Sequence, residues 1–191
     1  MDEDAQLVAQ IRDGDLSAFE ALYHKYKRSL YHTALAVTGN AGAAEEALQD
    51  CFVRAYAAID RVDASQPLSP WLHRIIVNLS YNWIGRTERW PLALDAFVDR
   101  LLTGPASCPE YYAEASELRS IVREAVASLG VKQRSVVVLF YFQGFTLAET
   151  AYILDCPVGT VKSRLHRASQ ALRCQLLEDR RLASELAYAT L

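Results

Sequence analysis

The 191-residue sequence has no long apolar run and no basic-then-apolar start. Because a membrane-spanning helix needs about 20 largely apolar residues in succession, the lack of such a run argues against membrane insertion. The opening stretch, MDEDAQLVAQIRDGD, is acidic and does not resemble a secretory signal peptide. We therefore expect a protein that works in the cytoplasm.

Cysteines are few, and the four of them (positions 51, 108, 156 and 174) form no CxxC pair. This scatter favours buried or half-buried free thiols over a disulfide or a metal site. The sequence also lacks a recognisable nucleophile–base pair, a glycine-rich phosphate loop and metal-ligand spacing. We therefore predict no catalytic residues, no metal and no cofactor, and expect a protein that acts by binding rather than as an enzyme.

An excess of positive charge is also lacking, since 20 lysines and arginines stand against 23 aspartates and glutamates and the formal net charge is −3. Residues 1–20 hold six acids against one arginine, whereas residues 156–174 hold four lysines or arginines and no acid. A freestanding DNA-binding protein is usually basic, because neutralising phosphates supplies most of its non-specific affinity. An acidic chain with one basic surface should bind DNA weakly alone and need a partner to hold it there.

What the first half does contain is helical periodicity, in a composition (51% hydrophobic, 23% charged) typical of soluble globular proteins. A short amphipathic opening ends at Gly14-Asp15, and three longer helices are predicted. Gly39 is the expected end of the first long helix, and Asn40 is the expected cap of the next. Together these helices should form a four-helix bundle, with Trp71 and Trp83 in its core. The long helices are predicted from Ser17 through Val37, over about 43–60 and over about 70–88, with a loop at 61–69.

A linker is predicted at 91–113, where proline and glycine interrupt the periodicity apart from a short turn near 94–102. A second helical block follows, with one helix ending at Gly130. The stretch QRSVVVLFYFQG then favours a strand by propensity, but we predict a helix because the chain offers no partner strand. The fold class is thus all-α, with two small helical domains joined by a flexible linker.

Residues 146–172 predict a helix-turn-helix. Thr146 and Glu149 have the spacing of a capping box, and Pro157 begins a further helix after a tight turn. In that second helix Val161, Leu165, Ala168 and Leu172 share an inner face. At about 100° per residue, the opposite face presents Ser163, His166, Arg167 and Gln170. These are side chains that hydrogen-bond to base edges, although a solvated amphipathic helix would show the same pattern.

Stretches in both halves of the sequence resemble a known protein family. The stretch TLAETAYILDCPVGTVKSRLHRASQALR closely resembles the region 4 helix-turn-helix of extracytoplasmic-function (ECF) sigma factors of bacterial RNA polymerase. Three stretches of the first half are similar to region 2 of the same family: GDLSAFEALYHKYKRSLYHTA, AAEEALQDCFVRAYAAIDRVD and SPWLHRIIVNLSYNWIGR. The resemblance implies region 2 at 1–90, a linker at 91–113, and region 4 with a C-terminal tail at 114–191.

The resemblance also implies the binding residues. Region 4 of the family reads the −35 promoter element as duplex, and region 2 recognises and melts the −10 element. Ser163, His166 and Arg167 are our candidates for base contacts, and the other −35 candidates would contact the DNA backbone. Asn78 matches a position that contacts the non-template strand, with Arg74 and Arg86 near phosphates. The −35 candidates are Thr160, Lys162, Ser163, Arg164, His166 and Arg167, and the core polymerase-binding candidates are Glu46, Gln49, Asp50 and Arg54.

The partners implied are promoter DNA and core RNA polymerase, through the clamp helices of its largest subunit and through its flap. An anti-sigma factor is a further partner that many members of the family have. The sequence leaves two other functions open. A helix-turn-helix regulator that is not a sigma subunit should carry a strand-containing receiver or ligand domain upstream. A non-DNA helical adaptor should be indifferent to removal of the Arg167 charge.

Overall fold

The computed structural model describes residues 3–63, 65–86, 121–122 and 124–178. Within these residues all regular secondary structure is helical and there is no β-strand, which confirms the all-α prediction. The predicted linker, with its turn near 94–102, and residues 179–191 of the C-terminal tail lie outside them. The helices are α1 (Glu3–Arg12), α2 (Leu16–Thr38), α3 (Ala41–Ala58), a 3-10 segment (Ile59–Arg61), α4 (Leu68–Arg86), α5 (121–128, residue 123 apart), α6 (Val131–Val137) with a π-helical continuation (Val138–Phe142), α7 (Leu147–Ile153) and α8 (Val158–Glu178).

The helix ends of the first half follow the local chemistry of the sequence. The Asp15 carboxylate caps α2 by accepting from the backbone N–H groups of Ser17 and Ala18. Gly39 ends the same helix with φ at 69°, and its N–H donates to the carbonyl of Leu35 at 2.7 Å. The side chain of Asn40 accepts from Ala43 N at 2.9 Å and starts α3. The predicted cap roles of Gly39 and Asn40 are therefore confirmed.

The loop before α4 is shorter than the sequence predicted. Helix α4 starts at Leu68, so Pro70 lies inside its first turn instead of at its first position. Proline is tolerated there because the first N–H groups of a helix have no partner within it. Arg12 orders the start of this loop, since its guanidinium donates to the carbonyls of Ile59 and Val62.

The valine-rich stretch is helical, so the strand favoured by local propensity is wrong. Residues 134–139 are all buried, and a helix that is enclosed on every side need not show an amphipathic pattern. After Val137 the helix widens into a π-turn, in which Gln143 N donates to Val138 O at 2.9 Å. Burial on all sides therefore explains why this segment is a helix, although its local propensity favours a strand.

The first half of the chain (α1–α4) and the second half (α5–α8) pack against each other. A continuous apolar core holds Leu30, Leu72 and Ile76 from the first half together with Leu139 and Ile153 from the second. Helix α4 contacts α7, and α2 contacts α6. Trp71 packs on this core half-buried rather than within it. No helix among the described residues is long and apolar enough to cross a bilayer.

Among the described cysteines, the prediction of free, shielded thiols is confirmed in part. Cys51, Cys156 and Cys174 are all free thiols. Burial raises the pKa of Cys51 to about 12, so its thiol stays protonated and unreactive. Cys156 is half-buried, but Cys174 is exposed, contrary to expectation, because it lies on the far part of α8.

Candidate nucleic-acid interface

The helix-turn-helix is formed by α7 and α8. Thr146 Oγ1 accepts from Glu149 N at 3.2 Å, and the Glu149 carboxylate accepts from Thr146 N at 2.8 Å, which confirms the predicted capping box. The turn closes through hydrogen bonds from Leu154 N to Thr150 O and from Cys156 N to Ala151 O. Asp155, within that turn, has φ at 49°. The capping box therefore fixes the start of α7, and backbone hydrogen bonds fix the turn that leads into α8.

Helix α8 has the two faces that the sequence predicted. Val161, Leu165 and Ala168 are buried, and Leu172 is half-buried. The opposite face exposes Ser163, His166, Arg167 and Gln170, flanked by exposed Lys162.

Two of the −35 candidates, Thr160 and Arg164, are less exposed to solvent than the others. The guanidinium of Arg164 points back to the turn, where Nη1 lies 3.7 Å from Sγ of Cys156, and the side chain is half-buried. Thr160 is also half-buried, and its carbonyl accepts from Ser163 Oγ at 3.0 Å. Ser163 thus has its hydroxyl proton committed, while its oxygen can still accept a hydrogen bond. The other two candidates for base contacts, His166 and Arg167, are exposed.

The three −10 candidates on α4 lie in different surroundings. Asn78 is exposed, with Arg74 one helical turn before it. Arg74 is half-buried and bonded to the turn between α7 and α8, with Nη2 at 2.9 Å from Oδ1 of Asp155. Arg86 is exposed at the other end of α4 and lines a shallow groove between α3 and α4. The structure therefore does not bring the three together at one point.

The loop before α4 forms one wall of a cleft of about 760 Å³. The opposite wall is the start of the helix-turn-helix, including Thr146, Glu149 and Tyr152. Arg61, Val62, Gln66 and Trp71 are on the loop side. The loop before α4 thus faces the second half of the chain across this cleft.

The core polymerase-binding candidates share the outer face of α3. Glu46, Gln49, Asp50 and Arg54 are all exposed, and their spacing places them along successive turns. Glu46, Asp50 and Arg54 also line the groove that contains Arg86. Both charge signs therefore occur on one polar surface between α3 and α4.

Sequence reasoning missed the residues that join the two halves. Arg134 is 3% exposed, and it donates to the carbonyl of Val37 at 2.9 Å as well as to those of Ala127 and Leu129. Ser29 Oγ donates to Gln143 Oε1 at 2.6 Å and lies 3.2 Å from Nε2 of His73. No sequence signal marks these residues, because their partners are mostly backbone carbonyls or lie more than forty positions away.

His73 also lies where the two halves meet, a region that we call the junction. Its Nδ1 is 2.8 Å from the carbonyl of Ser69, and its ring packs edge-on against Phe145 at 4.8 Å between centroids. Burial lowers the pKa of His73 to about 4, so the ring is neutral at neutral pH. Among the described residues, no three histidine, cysteine or acidic side chains cluster in a way that could hold a metal ion.

Two helical segments in this order, the second ending in a helix-turn-helix, also occur in a known protein family. The family model of sigma-70 region 2 matches residues 22–90, and that of sigma-70 region 4 matches residues 119–172. The ECF RNA polymerase sigma factor SigW of Bacillus subtilis is 35% identical over 88% of this chain and 94% of its own. The ECF RNA polymerase sigma-E factor of Escherichia coli K12 is 32% identical over 88% of this chain and 92% of its own.

Solved structures show the same arrangement. CnrH in complex with the cytosolic domain of CnrY is similar with a TM-score of 0.68 at 26% identity, over 93% of this chain and 99% of that one. The sigma factor RpoE of Bartonella quintana, in complex with the anti-sigma factor NepR, gives a TM-score of 0.63 at 25% identity, over 85% of this chain and 98% of that one. The chain belongs to the ECF sigma factors of the sigma-70 family.

Proposed function

We propose that the chain directs promoter-specific transcription initiation by binding core RNA polymerase and the −10 and −35 promoter elements. The observation that carries this proposal is the open face of α8, where Ser163, His166 and Arg167 are exposed above a buried apolar face. A helix with that polarity fits the major groove, where arginine and serine side chains reach base edges. We assign residues 1–90 to core binding and the −10 element, and residues 114–191 to the −35 element.

Core binding is assigned to the exposed outer face of α3. Glu46, Gln49, Asp50 and Arg54 offer a polar surface with both charge signs, which suits a basic and polar coiled coil such as the clamp helices. The flap is the expected contact of the second half. Because the chain has a net charge of −3, polymerase would supply most of the counter-charge that DNA binding requires.

The −10 element is assigned to α4, through Asn78 for a non-template base and Arg74 and Arg86 for phosphates. Melting would be driven by capture of unpaired bases, so the chain needs no hydrolytic chemistry and is not itself an enzyme. We place it in the cytoplasm, where bacterial polymerase acts. RpoE and its anti-sigma factor NepR supply the precedent for an inhibitory protein partner of this chain.

Reconstitution with core polymerase tests the proposal. Purified chain and core should initiate at specific sites of a promoter library, and core alone should not. Asp50→Lys should weaken capture of the chain by core, because it reverses a charge on the α3 face. Asp13→Lys reverses an exposed charge in the turn after α1 and serves as the matched control. Specific initiation without any dependence on the α3 face would refute the assignment of core binding, and no initiation at all would refute the function.

A further inference from the structure

Arg74 of α4 is held by the turn of the helix-turn-helix. Its Nη2 lies 2.9 Å from Oδ1 of Asp155, and its Nη1 donates to the carbonyl of Tyr152 at 3.1 Å. The guanidinium carbon is 4.9 Å from the centroid of the Tyr152 ring. One arginine of the first half thus has an anion, a carbonyl oxygen and an aromatic face as partners, all from the second half.

These partners offer the chemistry that a single-stranded nucleic acid offers to an arginine. A carboxylate takes the place of a phosphate, and a guanidinium pairs readily with either. The carbonyl takes the place of a base acceptor, and the Tyr152 ring takes the place of a base that stacks on the guanidinium. Arg74 cannot engage a DNA strand in the same geometry while Asp155 and Tyr152 occupy it.

The Asp155 carboxylate is not required by the turn that carries it. Backbone hydrogen bonds close that turn, from Leu154 N to Thr150 O and from Cys156 N to Ala151 O. The Asp155 side chain is 75% exposed. Its φ of 49° lies in the left-handed region, which asparagine tolerates as well as aspartate. Asparagine at this position should therefore keep the turn and remove the charge.

Other contacts hold Arg74 and Asp155 within reach of each other. Ser29 donates to Gln143, and Arg134 donates to the carbonyl of Val37, in both cases across the two halves. The His73 and Phe145 rings pack at 4.8 Å in the same junction. Because these contacts are largely buried, separating Arg74 from Asp155 by a wide distance requires the two halves to part.

We propose that Asp155 and Tyr152 form an internal competitor for Arg74, so that the closed chain withholds this residue from single-stranded promoter DNA. The inference rests on the proposed function, in which Arg74 meets the −10 strand. This competition takes place within the chain and requires no inhibitory protein. Parting of the two halves releases Arg74.

The test compares full-length variants for binding to a fluorescently labelled oligo-dT single strand, measured by anisotropy at low salt. Asp155→Asn should bind about two- to fivefold more tightly than the original chain, the range for loss of an exposed ion pair. Asp13→Asn makes the same change in net charge in the turn after α1, and should change the affinity less. In the Arg74→Ala background, Asp155→Asn should bring no gain, because the residue that it frees is gone.

Equal affinity of Asp155→Asn and the original chain would overturn the inference, and so would a gain that persists without Arg74. The absence of measurable binding by every variant, Asp155→Asn included, would overturn it as well. Core-dependent initiation by the original chain distinguishes failure of this inference from failure of the proposed function. If the chain initiates but Asp155→Asn does not change oligonucleotide binding, only this inference is wrong. If the chain does not initiate, the proposed function is wrong.

Discussion

Replacing Arg134 by methionine tests how the two halves of the chain are held together. Methionine keeps most of the aliphatic length of arginine and removes the guanidinium. That group donates to Val37 O at 2.9 Å, to Ala127 O at 3.1 Å and to Leu129 O at 3.2 Å. All three carbonyls lie at or just beyond the C-terminal end of α2 or α5, where a helix provides no partner of its own.

The size of the effect follows from those carbonyls. A buried acceptor left without a partner costs about 1–3 kcal/mol, so the two buried bonds, to Val37 and Leu129, set an upper limit of about 6 kcal/mol, and the half-buried bond to Ala127 adds less. Removing a buried cation recovers several kcal/mol of desolvation, and burial accordingly lowers the pKa of Arg134. We expect Arg134→Met to reduce the free energy of unfolding by about 2–4 kcal/mol, after water has reached part of the junction.

Urea unfolding followed by circular dichroism measures this free energy directly. Lys132→Met, at an exposed position on the same helix, is the matched control and should stay within about 0.5 kcal/mol of the original chain. Arg134→Lys should give an intermediate loss, because one ammonium cannot reproduce the planar fork of donors. A loss below about 1 kcal/mol in Arg134→Met would show that the guanidinium does not hold the junction.

Three further predictions concern titration, capping and base contact. Burial lowers the pKa of His73 from 6.5 to about 4, so the unfolded chain takes up its proton first as the pH falls. Stability should decline by up to about 3 kcal/mol between those two pKa values, and urea unfolding of His73→Gln should show a shallower decline; an unchanged slope would contradict the assignment. The pKa of His32 is lowered as well, mainly by burial, and contributes in the same direction. Thr146→Ala removes the hydroxyl that caps α7 and should cost about 1 kcal/mol in thermal unfolding, with no change arguing against the cap. Arg167→Ala should weaken −35-dependent initiation about tenfold while capture by core stays intact, and loss of capture would mean that this face binds polymerase instead.

Local sequence chemistry predicted the parts of the fold that depend on neighbouring residues. The roles of Gly39 and Asn40, the Thr146 and Glu149 capping box and the two faces of α8 each depend on residues within a few positions of one another. The helix over Val136 and its neighbours was predicted from the lack of a partner strand, since its own propensity favoured the wrong conformation.

The junction between the two halves could not be predicted in the same way. From the sequence, Arg134 cannot be distinguished from an exposed arginine of a helix. Its partner is the backbone carbonyl of Val37, and every residue type has such a carbonyl. Arg74 and Asp155 are 81 positions apart, and a chain with this many charges allows many such pairs. Arg74 was therefore predicted as a DNA contact without any sign of the partners that hold it in the free chain.

Start-site sequencing of transcripts from a randomised promoter library tests the central claim most directly. With core polymerase and this chain, the selected promoters should share two separated sequence elements upstream of the start site. With Arg167→Ala in place of the original chain, the upstream −35 element should lose its sequence preference while the −10 element keeps it. Selected promoters that share no element, or an upstream element that Arg167→Ala leaves unchanged, would contradict the assignment of α8 as the −35 reader.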